Sequence, residues 1–155
     1  MDQQDEPEIT TVAPATTAVI HENVPLAQIR PFFDRVFATV PRVIGQQGAV
    51  MTGPPVAAYR TTPGDTIDVA AGFPTDRAVQ AQEGVRAEEL PGGRVARLVH
   101  VGDYEGLPAS YERLAAWITA QGETAGDLMW EEYLTEPTPD GDPAAMLTRV
   151  TWLLA

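Results

Sequence analysis

The 155-residue chain contains no cysteine, which removes disulfides, thiolate metal sites and a cysteine nucleophile from consideration. It contains no lysine either: its 10 basic residues are all arginine, set against 22 Asp and Glu, for a formal charge of −12. A surface so acidic repels phosphate backbones and anionic headgroups, so neither nucleic acid nor membrane is expected as a direct partner. No apolar run approaches the ~20 residues that a bilayer-spanning helix needs. Residues 1–8 are polar and acidic, without the basic start and apolar stretch of a secretory signal. A soluble, cytoplasmic protein is the expectation. The two histidines, His21 and His100, come with no further ligands at metal spacing, so they read as structural or solvated, and no metal or cofactor is expected.

Hydrophobic residues make up 44% and charged residues 21%, the balance of a chain that folds around a core. Roughly two-thirds of the unfolded surface can be buried at this length, and one domain is the default.

The two halves repeat one another. VIHENVPLAQIRPFFDRV, starting at Val19, matches LVHVGDYEGLPASYERL, starting at Leu98: each runs from a strand through His and a loop into a helical signature. Those signatures are Phe33-Asp34-Arg35-Val36 and Tyr111-Glu112-Arg113-Leu114. Downstream, Ala57 to Pro63 aligns with Glu131 to Pro137, which pairs Tyr59 with Tyr133 and Ala57 with Glu131. A Gln-Gly follows each helix, at Gln47-Gly48 and Gln121-Gly122.

Leu107, Tyr111, Leu114 and Ile118 recur at helical spacing, with Pro108 in the first turn where its missing N–H costs nothing. Ile29, Phe33, Val36, Phe37 and Val40 give the corresponding stripe, and Pro41 marks an end or a kink. Strands are expected over residues 9–20, 55–61, 66–73, 94–101, 129–135 and 147–154, with an edge strand at 85–90. The fold class is therefore α+β: duplicated β-α-β-β units form a mostly antiparallel sheet with two helices on one face. The other face, near the pseudo-twofold, is left for a ligand cleft. Residues 1–8 read as a disordered acidic tail and 9–155 as one domain. Its first repeat spans about 9–75, a linker with the edge strand 76–92, and the second repeat about 93–155. The Pro/Asp-rich segment 137–143 reads as a solvated loop.

One ordered set of segments carries a family likeness: Asp68 to Pro74 (DVAAGFP), Leu90 to Ala96 (LPGGRVA), His100 to Leu107 (HVGDYEGL), Tyr111 to Leu114 (YERL) and Glu131-Glu132-Tyr133. With these the chain, from about Thr10 to Leu154, resembles the GyrI-like small-molecule-binding domain. That family supplies the effector-binding module of multidrug-responsive and AraC-type regulators, and it stands alone in gyrase inhibitor proteins. Some standalone members are hydrolases that open the cyclopropanes of DNA-alkylating natural products. The resemblance implies a duplicated SHS2-type fold, with a buried carboxylate flanked by aromatics in a cleft between the repeats. The sequence departs from the regulators in holding no room for a helix-turn-helix beside the domain, so a standalone form is the expectation.

The family's carboxylate stands two residues before a tyrosine, which places it at Glu131 with Tyr133. Strand alternation puts Glu131 and Tyr133 on one face and Trp130 and Glu132 on the other, so spacing alone does not choose between the faces. An ionised carboxylate among aromatics is costly unless a cation pairs with it, so such a site selects positive ligands. Tyr59 is the expected opposite wall, the small Ala57 leaves room, and Phe73, Tyr104, Trp130 and Trp152 are further candidate lining residues. Trp117 and Phe33 read as packing. Three functions follow: binding of small hydrophobic, aromatic or cationic molecules for sensing or sequestration, hydrolysis of an electrophilic natural product by Glu131 and Tyr133, or a gyrase-inhibitor-like interaction with a protein partner.

Overall fold

The computed structural model describes residues 6–60, 64–135 and 146–155. The loop expected at 137–143 lies outside the described residues, as do the repeat landmarks Thr61 to Pro63 and Glu136-Pro137. In chain order the elements are β1 (Glu8–Val12), β2 (Ala15–Pro25), α1 (Ile29–Gln46), β3 (Val56–Arg60), β4 (Thr66–Pro74), β5 (Val85–Leu90), β6 (Gly93–Val101), α2 (Leu107–Ala120), β7 (Ala125–Tyr133) and β8 (Leu147–Leu154). They fall into two units: Ala13–Gly92, and Met1–Val12 together with Gly93–Ala155.

Each unit is an antiparallel four-stranded sheet with one helix. The strand order is β3-β4-β2-β5 in the first and β7-β8-β6-β1 in the second. The order is the same in both, and only the source of the edge strand differs. β5 comes from later in its own unit, whereas β1 is borrowed from the start of the chain. The single strand expected over 9–20 is therefore two. Pro14 has no N–H for a ladder bond and restricts Ala13 before it, so β1 stops at Val12 and β2 begins at Ala15. Gly72 lets β2 and β4 close together: a Cβ there would lie 1.9 Å from the Ala18 carbonyl oxygen.

Helix α1 runs through Pro41 to Gln46. An interior proline costs about 3 kcal/mol. Burial of Val43 and Ile44, 0% and 2% exposed, contributes ~1.5–3 kcal/mol each and outweighs it. The buried stripe is Phe32, Val36, Val40, Val43 and Ile44. Phe33 and Phe37, expected on it, form a flanking row instead: Phe37 is 43% exposed, and it stacks on Phe33 at 6.1 Å and meets Phe73 edge-on at 6.2 Å.

In the second unit α2 buries Leu107, Leu114 and Ile118 against Ala96, Leu98 and Val150 of β6 and β8. Trp117, Trp152, Tyr111 and Ile9 of the borrowed strand pack around that cluster. No helix among the described residues is long and apolar enough to cross a membrane.

Candidate functional site

The register of the second unit decides which side chains share a face. Directly paired residues of antiparallel strands point the same way. Leu98 pairs with Val150 and Val150 with Glu131; one step along, His100 pairs with Thr148 and Thr148 with Tyr133. Leu98 and Val150 belong to the cluster under α2, so Glu131, Tyr133, Thr148 and His100 all stand on the helix-covered face. Glu131 thus stands on the face that α2 covers, not on the open face where the cleft is expected. Trp130 and Glu132 occupy the reverse face, where Trp130 is 4% exposed and Glu132 meets Arg149 at 3.5 Å. Trp130 therefore does not line the Glu131 site, because alternation along β7 turns it away.

Glu131 is 7% exposed. Its Oε2 accepts a hydrogen bond from the Tyr111 hydroxyl at 2.5 Å, and its Oε1 accepts one from the Tyr133 hydroxyl at 2.7 Å. Among the described residues no arginine pairs with it. Burial pushes the carboxyl above the usual carboxylate range, and the two phenol hydrogen bonds and the nearby His100 oppose that rise without cancelling it. Tyr104, on the short turn Tyr104–Gly106 before α2, packs edge-on against Tyr133 at 5.9 Å. Burial raises its hydroxyl pKa, and the Glu131 charge raises it further. Trp152 meets the Tyr111 ring edge-on at 6.4 Å and donates from Nε1 to the Gly126 carbonyl at 2.9 Å. It thus props the tyrosine that donates to the carboxylate.

His100, 7% exposed, faces the Asp103 carbonyl with Nε2 at 2.7 Å and the Ser110 hydroxyl with Nδ1 at 2.7 Å. A carbonyl only accepts, so Nε2 carries the proton and, in the neutral ring, Nδ1 accepts from Ser110. Gly106 makes room for the ring: a Cβ there would lie 2.8 Å from His100 Cε1. His21, matched to His100 in the sequence repeat, is not its structural equivalent. When Tyr59 is matched with Tyr133, the residue across the sheet from Tyr59 through Val69 is Glu22. His21 points the other way and is held between Asp68 and Glu88 at 2.7 Å each.

The remaining sequence candidates lie in the Ala13–Gly92 unit. Ala57, fully buried, and Tyr59, half-buried, share a face of β3. Phe73 on β4 lies against Phe37 of α1. The residues that sequence reasoning missed are Tyr111, read only as helix packing, and Thr148. The signal for Tyr111 was present: the repeat matches Phe33 with Tyr111 and Ala57 with Glu131, so the hydroxyl appears only in the half that has the carboxylate.

In comparisons with known proteins, the family model described as GyrI-like small molecule binding domain matches residues 5–150. No curated protein matches the chain. Among solved structures, the C-terminal domain of EcmrR superposes with a TM-score of 0.82 at 13% identity, over 97% of this chain and 98% of that one. The chain covers 58% of the longer EcmrR chain in its DNA complex. A hydrolase from Listeria innocua superposes with a TM-score of 0.70 at 9% identity, over 98% of this chain and 93% of that one. SAV2435 bound to tetraphenylphosphonium does so with a TM-score of 0.68 at 12% identity, over 97% of this chain and 94% of that one. At such identities these likenesses speak to the fold.

Proposed function

The chain belongs to the GyrI-like small-molecule-binding family, and from that premise we propose that it captures lipophilic, aromatic cations, with Glu131 as the counter-charge and Tyr111, Tyr133 and Tyr104 around it. One observation carries the reading: a carboxylate 7% exposed whose hydrogen-bond partners are two phenols and no arginine. An unpaired buried charge costs several kcal/mol. A cation entering beside Glu131 relieves that cost, and aromatic faces add ~0.5–2 kcal/mol each by cation–π attraction. A neutral ligand gains only the second effect, so the site discriminates by charge. That SAV2435, of the same fold, is seen with tetraphenylphosphonium supports this ligand class. The site residues carry no positive group suited to a phosphate backbone, and the reading assigns them no nucleic-acid contact.

A second reading is favoured by the raised carboxyl pKa and by a hydrolase of the same fold. Here Glu131, once ionised, takes a proton from water attacking an electrophilic ligand, and a tyrosine hydroxyl hydrogen-bonds the leaving group. Calorimetric titration with tetraphenylphosphonium tests the first reading: saturable binding is expected, lost in Glu131→Gln. Mass spectrometry of electrophilic ligands after incubation separates the two. An unaltered compound keeps the protein a binder, and a gain of one water makes it a hydrolase.

A further inference from the structure

Within the described residues, Thr148 Oγ1 is the one buried side-chain polar atom without a hydrogen-bond partner. Thr148 is 1% exposed and stands directly between Tyr133 and His100 in the sheet, on the face that carries Glu131. Buried hydroxyls are almost always satisfied, so an orphan invites a functional account. The fold does not require a hydroxyl there. With Tyr59 matched to Tyr133, the same position in the other unit is Val69, fully buried and isosteric with threonine. Its neighbours change with it: Glu131 is replaced by Ala57 and Tyr111 by Phe33. The hydroxyl therefore occurs only in the unit that has the carboxylate.

We propose that Thr148 forms a hydrogen-bonding subsite beside Glu131, one that receives a hydroxyl or ether oxygen carried about two carbons from the ligand's cationic centre. This rests on the cation-binding reading of Glu131. Thr148 and Glu131 are diagonal neighbours on adjacent strands, and such positions lie about 7 Å apart. A positive nitrogen against the carboxylate and an oxygen within hydrogen-bond reach of Oγ1 span that interval with a two-carbon arm. Tyr104, 42% exposed, meets edge-on the ring of Tyr133, the residue paired with Thr148 across the sheet. Thr148 can donate to the ligand oxygen or accept from a ligand hydroxyl, so the subsite recognises oxygen of either kind.

The test uses two quaternary ammonium ions of equal size, benzyldimethyl(2-hydroxyethyl)ammonium and benzyldimethylpropylammonium, titrated into the wild type, Thr148→Val and Thr148→Ser. The hydroxyethyl ion is expected to bind the wild type about tenfold more tightly, as one buried hydrogen bond allows. Thr148→Val should erase that preference without weakening the propyl ion, and Thr148→Ser should keep it. Without ligand, Thr148→Val should melt at or above the wild-type temperature, because a hydroxyl with no partner is removed. Equal binding of the two ions by the wild type overturns the subsite, as does a preference that survives in Thr148→Val. A lower melting temperature for Thr148→Val also overturns it, since the hydroxyl would then serve the fold. If neither ion binds the wild type, the Glu131 reading itself falls, and the subsite falls with it.

Discussion

The two units share a strand order and one helix each, yet they differ at three positions matched by the repeat and the strand register. Where one has Glu131, Tyr111 and Thr148, the other has Ala57, Phe33 and Val69, and of the matched site residues only Tyr133 and Tyr59 are alike. Each change trades a polar group for an apolar one of similar or smaller size. The apolar set shows what the scaffold needs in order to fold, and the polar set what has been added to it. A buried carboxylate brings no net stability unless it is well partnered, and its two phenol partners leave its pKa raised. The polar unit thus carries an electrostatic strain that the apolar unit lacks, and a cation is the group that resolves it.

The comparison can be broken from either side. The largest effect is expected from Ala57→Glu, which puts a carboxylate into the unit that has Tyr59 but only Phe33 where the other unit has Tyr111. Stability should fall by about 3–5 kcal/mol in chemical denaturation, and adding Phe33→Tyr should restore part of the loss. No loss would mean that the apolar unit is as open to charge as the polar one. Next, Glu131→Gln should weaken tetraphenylphosphonium binding by about 2–5 kcal/mol in calorimetry, with little change in fold. Tyr111→Phe, which copies Phe33, should cost about 1.5–3 kcal/mol of cation affinity through the lost bond to a charged group. It should also push the carboxyl pKa higher still, and carboxyl NMR titration would show a downward move if this assignment is wrong. The smallest effect belongs to Phe37→Ser: at 43% exposure it should change stability by under about 1 kcal/mol, whereas Phe32→Ala, deep in the same helix, should cost about 3–5 kcal/mol.

The contrast between Phe32 and Phe37 also shows where the sequence was ambiguous. Three aromatics and valines in a row satisfy two helical phases one residue apart, and only the partner sheet selects Phe32. Pro41 read as a boundary because its local cost is visible in sequence, whereas the burial of Val43 and Ile44 that outweighs it depends on tertiary contacts. The α+β class, the repeated helices and the Glu131–Tyr133 spacing were legible, because periodicity and family likeness are local properties. Three features were not. The exchange of β1 into the far unit turns on a pairing choice that Pro14 permits but does not direct. Alternation along β7 separates Trp130 from Glu131, but which of the two faces the helix covers is decided only by the pairing of Glu131 with Val150. Thr148 looked like any β-branched strand residue, and it stands out only when the register sets it beside Val69 of the other unit.

The central claim, that Glu131 is an ionisable carboxylate waiting for a cation, is tested most directly by pH. A folded-state carboxyl with a raised pKa holds its proton more tightly than the unfolded chain does. The folded protein therefore binds more protons between the two pKa values, and stability without ligand falls as pH rises through that window. Cation affinity must run the opposite way, because only the ionised form attracts the ligand. Tetraphenylphosphonium, whose charge does not titrate, should be measured against wild type and Glu131→Gln between about pH 4 and pH 8. The account predicts wild-type affinity that climbs with pH and levels off above the carboxyl's titration, and a flat, weak profile for Glu131→Gln. A flat wild-type profile, or the same slope in both proteins, would contradict it.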